Sequence, residues 1–97
     1  MAKEATIRKN AVKILEEEGW VTWCPAKVKY QETDIFGVFD CVCVKDSTLR
    51  YIQWTSKSNI RAREKKINTF FEENSVFIPC EVWGYDDVKK EFKIIYI

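Results

Sequence analysis

Asp40 interrupts an otherwise apolar run, Val38-Phe39-Asp40-Cys41-Val42-Cys43-Val44. A buried carboxylate without a partner is costly there, so it calls for a cation, a structural hydrogen bond or an edge position. A second apolar run, Leu49 to Thr55, follows after Asp46, Ser47 and Thr48, which is the arrangement of a β-hairpin. A hairpin of this length brings Asp40 and Gln53 side by side on adjacent strands, and the two-residue period puts Gln53 and Thr55 on one face. Oxygen atoms converging in this way are the hard ligands that hold a divalent cation. Lys57 lies about 7 Å beyond Thr55 at roughly 3.3 Å per strand residue, and its side chain is long enough to fold back toward the same place. Asp34, in the preceding loop, offers a further carboxylate.

The elements that would position these groups follow from hydrophobic periodicity. Ile7, Ala11, Ile14 and Leu15 recur at helical spacing within Ala5 to Glu18, and Gly19 stands where a helix-terminating glycine is expected. Trp20 to Lys29 reads as a strand that is bulged or at an edge near Pro25, and Tyr30 to Gly37 reads as a loop. Strands are expected over Val38 to Lys45 and Leu49 to Thr55. A second amphipathic helix is expected over Asn59 to Glu73, with Ile60, Ile67, Phe70 and Phe71 on one face and Ser58 or Asn59 as its cap. Val76 to Tyr85 and Lys89 to Ile97 complete the order α-β-β-β-α-β-β around Asp86 and Asp87. Such an order implies a mixed sheet with a right-handed crossover through the second helix.

Composition sets the outer bounds. The 97 residues suit one domain, 1–97, and the 46% of apolar residues, with six Phe, four Trp and four Tyr, suffice for a core without disulfides or a structural metal. Cys24, Cys41, Cys43 and Cys80 form no C-x-x-C pair and the chain has no histidine, so zinc is not expected. Three of these cysteines sit in apolar, strand-like runs, where they pack as small hydrophobes. A net charge of +1 leaves room for a local basic patch but not a uniformly basic surface. There is no stretch of about 18 apolar residues, and Met1-Ala2-Lys3-Glu4 lacks the apolar core of a secretion signal. No membrane association and a soluble, intracellular, cytoplasmic protein are expected.

The order of elements, Asp40 in the second strand and Gln53 within Ile52-Gln53-Trp54-Thr55 together resemble the PD-(D/E)XK nuclease superfamily, in particular archaeal Holliday-junction resolvases. Thr33-Asp34-Ile35-Phe36-Gly37 and Gln53-x-Thr55-x-Lys57 are similar to a nuclease-like subgroup common in viruses and mobile elements. The resemblance runs from the first helix to the fourth strand. It implies an α/β, restriction-endonuclease-like core: a central mixed sheet flanked by helices. It also implies a metal-dependent DNA endonuclease that hydrolyses phosphodiester bonds, branched DNA such as Holliday junctions included. The cofactor would be Mg2+, with Mn2+ as a substitute, and the assembly a homodimer. Asp40 and Gln53, with Asp34 as a secondary candidate, would be the metal ligands, and Thr55 or Lys57 would orient water or phosphate.

Two departures from the family pattern bear on activity. Gln53 stands where a carboxylate is usual, which removes one negative charge, and Thr55 stands where a lysine is usual. The glutamate that many resolvases carry on the first helix is replaced by Arg8, with Glu4 one turn earlier, while Glu16 to Glu18 read as a solvated face. Lys57, Arg61, Arg63, Lys65 and Lys66 form a basic cluster at the start of the second helix, suited either to nucleic-acid backbone contacts or to a solvated face balanced by Glu64, Glu72 and Glu73. The alternative to an active endonuclease is a weakened or inactive nuclease-fold protein that binds nucleic acid; a third reading is a protein-interaction domain. Trp20, Trp23, Trp54 and Trp83 are read as core or interface rather than as base-stacking platforms.

Overall fold

The computed structural model describes residues 4–25 and 34–97. Helix α1 (Glu4–Glu17) leads into strands β1 (Val21–Trp23), β2 (Cys41–Lys45) and β3 (Thr48–Ser56). A single 3-10 turn (Lys57–Asn59) then feeds α2 (Ile60–Asn74), and strands β4 (Cys80–Asp86) and β5 (Glu91–Tyr96) follow. The five strands form one sheet in the order β1-β2-β3-β4-β5. The β3–β4 pair is parallel and the other three pairs are antiparallel, so the fold is α/β with a mixed sheet and two helices.

The helices cover opposite faces of that sheet. Ile7, Ala11 and Leu15 of α1 pack on Cys41, Cys43, Ile52, Trp54, Trp83 and Tyr85, alternate positions of β2, β3 and β4. Ile60, Ile67 and Phe71 of α2 pack on the intervening positions, Cys80 and Val82, together with Val38 and Phe39. Each helix thus buries the stripe its periodicity defines. Helix α1 ends as expected at Gly19, whose φ of 91° lets Trp20 N–H reach Leu15 C=O at 3.0 Å. Helix α2 ends on Ser75 in the same left-handed region, with Val76 N–H on Phe71 C=O at 3.1 Å.

Several boundaries differ from expectation. Val38 to Asp40 are not strand: Gly37 N–H closes on Asp34 C=O at 2.9 Å and Ile35 bridges to Phe39, so the chain is still turning until Cys41. Residues 76–79 are also outside the sheet, since Pro79 has no N–H to give to a ladder, and β4 starts at Cys80. The first strand ends at Trp23 rather than Lys29. Residues 26–33, which hold the rest of that expected strand and much of the expected loop with Thr33, lie outside the described residues. Asn59 precedes α2 but makes no side-chain cap; its amide Nδ2 donates to Ser56 Oγ at 3.1 Å instead.

Gly84 sets how closely the turn before α2 approaches the sheet. A Cβ there would meet the Ile60 side chain, 2.5 Å from Cγ1, and would lie 3.1 Å from Lys57 Cα. Gly84→Ala is expected to lower stability by about 1–3 kcal/mol through this overpacking. Urea denaturation would show it as a lower midpoint with an unchanged slope.

Candidate functional site

The antiparallel β2–β3 register pairs Cys41 with Ile52, and Asp40 N–H donates to Ile52 C=O at 2.9 Å. Asp40, one residue before that ladder begins, and Gln53 of β3 come together at its end. Both side chains, with those of Asp34 and Thr55, line a polar cavity of about 180 Å³ at the end of β3. Glu4 and Ile7 close it from α1, while Ser56, Asn59 and Arg63 close it from the turn and the first part of α2.

The carboxylate of Asp40 is anchored by backbone: Trp54 N–H donates to Oδ2 at 2.9 Å. This bond fixes the orientation of Asp40, which is only 6% exposed. Gln53, at 1% exposed, is held between β2 and β4, where its register partner is Val82. Its Oε1 is buried and accepts no hydrogen bond among the described residues. An unsatisfied carbonyl oxygen of this kind costs about 1–3 kcal/mol unless a ligand meets it. A buried carboxylate and an orphaned amide oxygen on neighbouring strands form a pair of hard oxygen donors. Among the described residues, no group of three or more Cys, Asp or Glu side chains is arranged to hold a metal. Mg2+ does not require one, because it is commonly held by one or two protein oxygens, with water and substrate phosphate completing its shell. The donor set therefore fits a magnesium-type cation in number and hardness.

The other expected site residues divide. Thr55, Asp34 and Arg63 are at the cavity. Lys57 is not: it begins the 3-10 turn instead of extending β3, and its Nζ donates to Asp86 Oδ2 at 3.3 Å. Asp86 also accepts Lys89 and Val88 N–H at 3.1 and 3.0 Å, and these bonds with Lys57 hold its carboxyl below the usual range. The basic cluster is not one surface either. Arg61 and Lys65 are exposed and one turn apart, whereas Arg63 and Lys66 are half-buried on the other flank of the stripe that meets the sheet. Arg63 is the member of the cluster that reaches the cavity.

Sequence reasoning missed Ser56 and Asn59, whose only signal was their position directly after Thr55 at the start of α2. Glu4, one turn before Arg8 on α1, also lines the cavity. The cysteines are also distinctive: Cys24, Cys41 and Cys43 on the α1 face and Cys80 on the α2 face are all free thiols.

No family model matches this chain, and no curated protein matches it.

Proposed function

We propose that this protein is a metal-dependent nuclease-like protein of the restriction-endonuclease-like type, acting on DNA phosphodiester bonds. The observation that carries the reading is Asp40 beside the unpartnered Oε1 of Gln53 in a polar cavity that also holds an arginine. Asp40 and Gln53 would hold the cation, with Asp34 and Glu4 at the rim. When bound, a divalent cation supplies Lewis-acid polarisation of a phosphoryl oxygen and lowers the pKa of water. Arg63 would bind a phosphate and offset charge that develops on it, with Ser56 and Asn59 as hydrogen-bonding partners. Thr55, which lines the same cavity, would orient a water there.

The element order supports this reading as well, since a helix, a three-strand meander, a crossover helix and a parallel fourth strand are what the nuclease core requires. A homodimer would present two such cavities to the two related strands of a junction.

One observation favours a second reading, in which DNA is bound and not cut. Gln53 and Thr55 are neutral, and Lys57 is engaged with Asp86, so no lysine from β3 or the adjoining turn serves the cavity. The deciding experiment is incubation of labelled linear, flapped and four-way DNA with the protein in Mg2+, Mn2+ or chelator. Metal-dependent cutting supports the nuclease; salt-sensitive binding with no cutting supports the second reading; neither binding nor cutting contradicts both.

The placement of the basic residues has its own test. Arg63→Gln is expected to weaken DNA binding and reduce the slope of log K against log salt by about 0.9, the equivalent of one phosphate contact. Lys57→Gln, which removes a cation already paired with Asp86, is expected to leave that slope unchanged when both are measured by fluorescence anisotropy.

A further inference from the structure

The β1–β2 register pairs Val21 with Val44, Thr22 with Cys43 and Trp23 with Val42. The next position in that antiparallel register sets Cys24 directly opposite Cys41. Directly opposed residues on antiparallel strands have Cα atoms roughly 4.5–5.5 Å apart, and a disulfide spans roughly 4.4–6.8 Å. Both side chains are on the α1 face, where Cys24 packs against the cluster that contains the fully buried Cys41. Cys41 Sγ–H donates to Val42 C=O at 3.6 Å, and each of the two thiols is the group that most perturbs the other. Cys24 is only half-buried, so a small oxidant can reach it.

We propose that Cys24 and Cys41 are an oxidisable pair that closes into a cross-strand disulfide when the protein meets a peroxide. Cys24 is the attacking group. The neighbouring Cys41 thiol holds its thiol down to about 7 against the effect of burial, with the Arg8 charge acting in the same direction and the Asp40 and Glu16 charges opposing it. Cys41, by contrast, is fully buried, and Cys43 is pushed up to about 11 by burial. The Cys24 thiolate attacks one oxygen of hydrogen peroxide, forming a sulfenic acid and releasing hydroxide, which takes up the thiol proton as water. The Cys41 sulfur then displaces the sulfenic hydroxyl, forming the S–S bond, and its proton leaves with that hydroxyl as a second water. Two thiols are oxidised by two electrons and one peroxide is reduced to two waters, with no other reactant needed. The bond would tie the end of β1 to the residue after Asp40.

Alkylation of the folded, reduced protein by iodoacetamide is expected to label Cys24 with a pH midpoint near 7 and to spare Cys43 and Cys80, which burial holds at about 11. The deciding experiment is peroxide treatment with dimedone present, then denaturation, alkylation and peptide mass mapping. The expected result is loss of two alkylatable thiols of the four, a mass lower by two hydrogens and a Cys24–Cys41 cross-linked peptide. Cys24→Ser, a change at a half-buried position, should lose none of its remaining thiols. A dimedone adduct or sulfinic acid on Cys24 with Cys41 still alkylatable would overturn the proposal. So would a cross-link through Cys43 or Cys80, or one between two chains.

Discussion

Asp40→Asn is expected to reduce metal-dependent DNA cleavage at least about a hundredfold, because a cation held by Asp40 and Gln53 loses the charged member of its donor pair. The same substitution should leave the fold intact. Asparagine keeps an oxygen acceptor where Trp54 N–H now donates to Asp40 Oδ2 at 2.9 Å. Asp40→Ala removes that acceptor as well and leaves a buried N–H unpaired, at a cost of about 1–3 kcal/mol. The two variants therefore separate chemistry from architecture: both should be inactive, but only the alanine should show a lowered urea midpoint. Activity retained in Asp40→Asn would mean that the carboxylate is only a backbone anchor for β3.

The largest effect on stability is expected at Trp83, in the core that α1 covers. Its indole is 2% exposed, packs tilted against Phe92 with ring centroids 5.2 Å apart and donates Nε1–H to Glu81 Oε1 at 3.0 Å. Glu81 in turn accepts Arg50 Nε at 2.8 Å, and the Arg50 guanidinium lies 4.7 Å from the Trp20 ring and 5.7 Å from the Trp83 ring. Trp83→Ala opens a cavity in the α1-side core and takes a donor from Glu81 and one of two aromatic faces from Arg50. The expected loss is about 3–5 kcal/mol, a large part of the roughly 5–15 kcal/mol that such a domain holds. Trp83→Phe keeps most of the packing and should cost about 1–2 kcal/mol, chiefly the hydrogen bond. Urea denaturation of the three proteins checks both figures, and a Trp83→Ala loss under 1 kcal/mol would contradict this account of the core.

The amphipathic helices and the β2–β3 hairpin were legible in the sequence because each is a local pattern. Ile7, Ala11 and Leu15 repeat every helical turn, and the two apolar runs flank a short polar turn that proves to be Asp46 and Ser47 alone. The convergence of Asp40 and Gln53 was legible for the same reason, since hairpin geometry is fixed by the length of its turn. Lys57 was not. Whether Ser56-Lys57-Ser58-Asn59 continues a strand or turns into a helix depends on Gly84, far along the chain, which admits the turn, and on Asp86, which takes the ammonium. Arg50 and Glu81 were likewise hidden. Each reads as a polar residue in a strand, and only the register of β3 and β4, set by packing around α2, brings them together. Glu4 reaches the cavity because of how α1 is rotated on the sheet, which no local pattern specifies.

The central claim is that the cavity at the end of β3 receives a divalent cation through Asp40 and Gln53. The most direct measurement is titration of isotope-labelled protein with Mn2+, whose unpaired electrons broaden amide resonances of nearby residues. Wild-type protein is expected to lose the Asp40, Gln53, Trp54 and Thr55 resonances first, and Asp40→Asn is expected to keep them at the same Mn2+ concentration. Broadening centred on the exposed Glu16 to Glu18 run, or spread over the surface with no preference for the cavity, would contradict the claim.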